Sequence, residues 1–390
     1  MTGTAPAGSR QVVIALGSAQ TLAWASSYYL PAILAAPMAR DLGIPASWVF
    51  AGFSAAMLLS AVLGPAAGRA IDLRGGRDVL TVSNLVFALG LLLLAMAQGT
   101  AMMALGWLVI GVGMSMGLYD AAFATLAGLY GRAARSPITG ITLIAGFAST
   151  VGWPLSAVME EAFGWRGACL GWAALHLVLG LPLNRLLVPP APPPEKQQAA
   201  AEAEAAPAPR FAMPILAFVF AATWTVAGAM AAHLPAMLQA AGATTALAIA
   251  AAALIGPSQV AARLLEYALV RRIQPITTAR LAALGHPLGA AVLLAVGGVA
   301  APVFAVLHGM GNGVMTIVKG TLPLAVFGPA GYGARQGLLT APSRFLQALA
   351  PFAFGLLLER AGVEVALAVT SGLTFAAFLA LLVLKVQVRR

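Results

Sequence analysis

The chain has 390 residues, 61% hydrophobic and only 9% charged, whereas a soluble domain carries roughly 45–50% apolar and about 25% charged residues. So few charges cannot cover a water-facing surface, and about twelve crossings of about 20 residues each would absorb nearly all the apolar content, leaving no soluble catalytic domain. The net charge of +10 is spread between hydrophobic runs, which excludes a nucleic-acid partner, and the single Cys169 excludes disulfides and thiolate metal sites.

The apolar runs are long and rich in Ala, Leu and Gly, unlike the short alternating segments of a barrel. The first, Gln11 to Ala36, exceeds a signal-peptide core and lacks a small-residue cleavage site, so it is read as a retained helix. Further spans are expected at 46–68, 79–98, 102–130, 137–162 and 166–187. The stretch 188–210 then breaks the pattern with Pro189-Pro190-Ala191-Pro192-Pro193-Pro194 and an Ala/Glu tract, a composition that stiffens the chain but buries no core. Six more spans follow at 211–238, 245–269, 277–299, 302–327, 338–358 and 363–385. The expected organisation is an all-α membrane protein of twelve helices: a six-helix bundle over 1–187, a cytoplasmic linker over 188–210, and a second bundle over 211–390.

An even count puts both termini on one side. If that side is the cytoplasm, sixteen basic residues lie there, against Arg40, Arg166 and Arg360 outside, as the positive-inside rule requires. Arg263, Lys319 and Arg344 fall within spans.

The halves repeat. Leu30-Pro31-Ala32-Ile33-Leu34 recurs as Leu234-Pro235-Ala236-Met237-Leu238, Gly131 and Gly140 recur as Gly328 and Gly337, and Pro154 recurs as Pro351. Gly68-Arg69-Ala70-Ile71-Asp72 is echoed by Ala262-Arg263-Leu264-Leu265-Glu266. Two like halves are what a transporter needs to expose one midplane site alternately to either side.

Between spans two and three, Gly68-Arg69-Ala70-Ile71-Asp72-Leu73-Arg74-Gly75-Gly76-Arg77 resembles the G-x-x-x-D-R-x-G-R-R signature of the major facilitator superfamily. Gly68, Asp72, Gly75 and Arg77 fit it; Leu73 and Gly76 replace basic residues. The chemistry is legible beside the resemblance: Gly68 permits close helix approach, the glycine pair turns the chain, and Asp72 with Arg77 can form a charge-assisted contact that biases one conformation. Arg263 and Glu266 are expected to form the matching latch at the entrance of the equivalent loop. The alternative is a solvated basic loop. A looser resemblance joins Gly146, Gly152 and Pro154 to the fifth-helix motif of proton-driven exporters, though small residues also serve ordinary helix packing.

Ionisable residues inside a span are functional candidates, because burial in the bilayer is costly. Asp120 lies roughly 16 Å and Lys319 roughly 13 Å from the cytoplasmic ends of their helices at 1.5 Å per residue. Arg344 is roughly 10 Å in by the same rise. The resemblance implies that spans one, four, seven and ten line a central cavity, where Asp120 and Lys319 would face each other. The basic excess points to a small organic anion such as a carboxylate, which arginine can grip in bidentate fashion, and Asp120 is the candidate for proton coupling. A buried structural ion pair is the plainer alternative. Trp24, Tyr28, Trp224, His308 and Asn312 are expected to complete the substrate site, with Tyr29, Tyr119 and His233 nearby.

The resulting expectation is a secondary active transporter in a bacterial inner membrane, moving an organic anion with protons or a counter-anion by alternating access. The runner-up is a proton-driven exporter of cationic or amphiphilic compounds with Asp120 as the cation contact. No cofactor or metal is expected, since the histidines lack ligand spacing. No enzymatic motif is present, and a monomer suffices mechanically.

Overall fold

The computed structural model describes residues 9–190, 209–269 and 274–384. Most of the expected linker, with Lys196, and the basic residues Arg271, Arg272, Lys385, Arg389 and Arg390 lie outside the described residues. Among the described residues there is no strand.

The helices resolve into the twelve expected spans. Span one is α1 (Ser9–Ala25) with α2 (Pro31–Leu42); spans two and three are α3 (Ala46–Arg74) and α4 (Gly76–Ala95). Span four is α5 (Thr100–Gly117) with α6 (Tyr119–Tyr130). Spans five and six share α7 (Arg135–Ala145), α8 (Ala148–Leu175) and α9 (Leu181–Leu187), a π-helical turn at His176–Gly180 separating the last two. Spans seven to ten are α10 (Ala212–Ala240), α11 (Thr245–Ala253) with α12 (Ile255–Leu269), α13 (Pro275–Val296) and α14 (Ala301–Phe327). Spans eleven and twelve are the two arms of α15 (Tyr332–Val383).

Several spans expected as continuous are interrupted, and the breaks in spans one and four bear on the site. Span one loses its helix over 26–30, where the Ser26 hydroxyl lies 2.8 Å from the Leu22 carbonyl and the Ser27 hydroxyl bonds back to Ala23. Such side-chain bonds compete with the helical ladder, and Pro31 restarts the helix at its first position, where a missing N–H costs nothing. Span four breaks at Leu118, whose backbone is extended (φ −88°, ψ −174°). Broken backbone at membrane depth is tolerated where it is enclosed in protein or lines a cavity.

The internal repeat is visible in the turns. Gly43 and Gly242 (φ 63° and 93°), Gly131 and Gly328 (55° and 76°), and Gly164 and Gly362 (70° and 81°) all occupy the left-handed region. Each pair is separated by about the same stretch of sequence, and only glycine takes that conformation freely. Gly164 and Gly362 are the points at which α8 and α15 each turn from one span into the next.

The described residues fall into two compact units, one comprising 9–190 with Gly328–Ala341, the other 209–327 with 342–384. The partition cuts α15 between Ala341 and Pro342. In the first unit α5 packs on α3 and α4, and α1 on α7 and α8. Small residues let these backbones approach, as at Gly111 against the Ala56 backbone and Gly52 against Trp107. In the second unit α14 packs on α12 and α13 around Met230, Met237, Leu293, Phe304 and Leu367.

Candidate solute pathway and conformational latch

The motif between spans two and three builds a helix-end clasp, with a different partner from the expected one. Gly75 (φ 85°) ends α3 and its N–H donates to the Ile71 carbonyl at 2.8 Å, so the chain turns at once into α4. Asp72, half-buried in the last turn of α3, accepts the Gly333 N–H at Oδ1 and the Ala334 N–H at Oδ2, both at 2.8 Å. These amides belong to the first turn of α15, where no intrahelical carbonyl is available to them. A carboxylate there satisfies two donors and complements the helix dipole, and Arg335 adds electrostatic attraction to Asp72. Arg77, expected as the partner, instead meets Asp78 at 3.4 Å, and Asp78 accepts from Arg185 at 2.6 Å. The reason is local: Asp78 adjoins Arg77 in sequence, whereas Asp72 is taken up by backbone donors.

Below this clasp, Gly64 and Gly68 of α3 oppose Gly337 and Gly333 of α15 in antiparallel register. A Cβ on Gly68 would overlap the Gly333 carbonyl, and one on Gly337 would fall on the Pro65 backbone.

The same segment, Gly328–Ala341, holds the second acidic residue. Asp120 is buried in the first turn of α6, directly after the break at Leu118. Its Oδ2 accepts from the Thr340 hydroxyl at 3.2 Å and its Oδ1 from Gln336 Nε2 at 3.4 Å. Beside it lies an aromatic cluster that joins the two helix breaks of the first unit. Trp24 meets Tyr28 (centroids 5.2 Å apart), Tyr29 (6.4 Å) and Tyr119 (5.0 Å); Tyr28 meets Tyr29 (5.3 Å) and Phe53 (5.5 Å). The Trp24 indole nitrogen is buried and has no hydrogen-bond partner among the described residues.

In the second unit, Lys319 is buried on α14, its ammonium 5.1 Å from the centre of the Trp224 ring. That distance is within cation–π range. Trp224, His308 and Asn312 share a cavity of about 20 Å³ with His286, Met315 and Thr374, room for one water molecule. His286 and His308 meet through their Nδ1 atoms at 3.0 Å, and His286 Nε2 lies 3.0 Å from the Thr370 hydroxyl. Thr370 in turn donates to the Ala366 carbonyl. It therefore accepts from His286 Nε2–H. Arg344 is half-buried in α15. His233 lies 2.8 Å from the Pro351 carbonyl, which bonds α10 to α15.

Arg263 and Glu266 are both buried on α12. Arg263 reaches across to α14, donating to the Gly313 carbonyl at 3.2 Å and to Thr316 at 3.4 Å. The α12 register turns this face toward glycine-rich α14, whose exposed backbone carbonyl takes the guanidinium.

Several residues escaped the sequence reading. Gln336 and Thr340 lie more than two hundred positions from Asp120, and only the Gly64/Gly68 and Gly333/Gly337 spacings signalled that these segments could approach. His176, from the π-helical turn, contacts Asn84 Oδ1 at 2.8 Å and Ser26 Oγ at 2.7 Å. Because Asn84 Nδ2 donates to Leu80 O, its Oδ1 receives His176 Nδ1–H. The connectivity is that of a nucleophilic triad, but Ser26 is completely enclosed, so the network ties spans one, three and six together.

Two repeated six-span sequences with broken helices and charged residues inside the spans are the architecture of a carrier fold. The chain belongs to the Major Facilitator Superfamily, whose family model matches residues 16–305. It is 34% identical over 158 residues to the "Uncharacterized 38 kDa protein in 23S RNA operon" of Thermoproteus tenax, a match spanning 40% of each chain. Among solved structures it resembles the human organic anion transporter MFSD10 (TETRAN), with TM-score 0.73, 16% identity, and 96% of this chain and 99% of that one covered. The proton:xylose symporter XylE bound to 6-bromo-6-deoxy-D-glucose gives TM-score 0.75 at 12% identity, covering 96% and 95%. FucP in the outward conformation gives 0.72 at 13%, covering 95% and 98%. The fold supports secondary transport of a small molecule across a membrane.

Proposed function

We propose that this chain is a proton-coupled or exchanging transporter of a small organic anion of carboxylate type, residing as a monomer in a bacterial inner membrane with both termini cytoplasmic. The observation that carries the reading is Lys319, an ammonium buried in a span over the Trp224 ring and next to the Trp224–His308–Asn312 cavity. A buried cation at that depth is retained at a cost unless it has work to do, and an anion is its natural ligand. Arg344 supplies a second cation to the same unit. That a solved relative in fold is named an organic anion transporter is consistent with this assignment.

Asp120 is proposed as the proton-coupling group. Its carboxylate holds Gln336 and Thr340 of the segment that Asp72 holds by the backbone. Protonation would weaken that hold and loosen Gly328–Ala341 from the first unit, so proton binding and conformational change share one group. Gly68, Asp72 and Gly75 form the proposed latch, with Arg77 stabilising the α4 end through Asp78.

Uptake of labelled carboxylates into proteoliposomes under an imposed proton gradient tests the reading. Saturable uptake that Lys319→Gln lowers at least tenfold is expected. Absence of carboxylate flux together with extrusion of a lipophilic cation would replace it with cation export through Asp120.

A further inference from the structure

We infer that the transported anion carries an aromatic ring, and that the Trp24–Tyr28–Tyr119 cluster receives it; this rests on the anion reading above. Membrane proteins place Trp and Tyr at both interfaces as anchors, but these rings lie elsewhere. Trp24 stands fifteen residues after the start of α1 and Tyr119 eleven before the end of α6, so both are near the middle of their spans. Their spacing is also unlike a packed core: they gather where span one loses its helix and where span four breaks. Interrupted helices at membrane depth mark solute sites in transporters, because their backbone must be enclosed or face a cavity.

The ring geometry favours a flat guest over an ammonium ion. Tyr28 meets Trp24 at 64°, Tyr29 at 84° and Phe53 at 75°, an edge-to-face series in which each ring engages its neighbour. Another aromatic ring extends such a series by the same quadrupole attraction. A cation cage would need several ring faces turned toward one point, and here those faces meet neighbouring edges. Trp24, Tyr28, Tyr29 and Phe53 are all only half-buried, so the cluster is not sealed. The buried Trp24 indole N–H, unmatched among the described residues, offers a hydrogen bond to an acceptor on the guest.

The test is calorimetric titration of the purified full-length protein with acids paired for size and charge: phenylacetate against cyclohexylacetate, and benzoate against cyclohexanecarboxylate. The aromatic member of each pair is expected to bind about three- to tenfold more tightly. Trp24→Leu should weaken all four acids through loss of the indole N–H and bring the ratio within each pair to about one, whereas Trp24→Phe, which keeps a ring but not the N–H, should weaken all four and largely keep the ratio. If Trp24→Leu fails to fold, Tyr28→Leu, on a half-buried member of the cluster, provides the same comparison. Equal affinity within both pairs overturns the aromatic assignment and leaves the anion reading standing. Binding by none of the four acids, with or without binding of phenyltrimethylammonium, overturns both.

Discussion

Replacing Asp72 by Asn gives the most direct test of the latch. In the native chain Asp72 is the acceptor of two backbone donors, Gly333 and Ala334, each at 2.8 Å. Asn is isosteric but has a single acceptor oxygen and turns an NH₂ group toward the second amide. The change removes one hydrogen bond to a charged group, worth about 1.5–3 kcal/mol, and weakens the other. It also removes the negative charge from a helix N-terminus, worth about 0.3–1 kcal/mol at an accessible position. Asp72 is only half-buried and water can reach the freed donors, so we expect a net loss of about 2 kcal/mol, or about 30-fold in the population with the segment docked. Hydrogen–deuterium exchange reads this directly. At the first turn of a helix no intrahelical carbonyl protects these amides, so their protection comes from Asp72. Mass-resolved peptides covering 328–341 should gain two fast-exchanging amides in Asp72→Asn, while peptides from α5 remain unchanged. Identical exchange in the two proteins would show that the carboxylate does not hold this segment, and the latch would have to be withdrawn.

Three further outcomes follow from the same geometry. Gly68→Val should undock 332–341 as strongly as Asp72→Asn, since its Cβ would fall on the Gly333 carbonyl; normal protection of that segment would contradict the close crossing. Asp120→Asn should lose accumulation driven by a proton gradient while keeping solute counterflow, and vesicle assays that find accumulation intact would remove Asp120 from the coupling step. His176→Leu should lower the thermal unfolding midpoint of the detergent-solubilised protein through loss of about 1–3 kcal/mol, because Asn84 and Ser26 would remain buried without it; an unchanged midpoint would mean that the network contributes nothing to stability.

Why some of this was readable in advance and some was not is a matter of range. The twelve spans follow from the hydrophobic runs, because a bilayer demands about twenty apolar residues per crossing whatever the tertiary contacts. The repeat was readable for a similarly local reason, since glycines such as Gly131 and Gly328 occupy positions that other residues reach only with strain. The helix breaks are a different matter. Pro31 hints at the first, but around Leu118 the chain remains apolar and glycine-rich, so an interruption there reads as continuous helix. Partner choice was the least accessible. Arg77 was a reasonable partner for Asp72 by charge alone, yet backbone amides from 261 residues away took the carboxylate, and Arg77 turned to its neighbour Asp78. Arg263 matched the motif by sequence echo, yet its guanidinium reaches Gly313 and Thr316 of α14. A pattern repeated at the level of residue type does not fix which face of a helix is buried.

The two acidic residues of the first unit differ in how they hold the segment, and the difference bears on coupling. Asp72 binds backbone N–H groups at 2.8 Å, a contact that no change at the segment's side chains can abolish. Asp120 binds Gln336 and Thr340 side chains at 3.4 and 3.2 Å, longer and therefore weaker bonds. A proton that shifts an equilibrium can do so only by its differential affinity for the two states. A group holding the segment weakly can therefore tune docking without deciding it, whereas a group holding it strongly sets the resting balance. This division makes Asp72 the determinant of how firmly 328–341 is held and Asp120 its adjustable part.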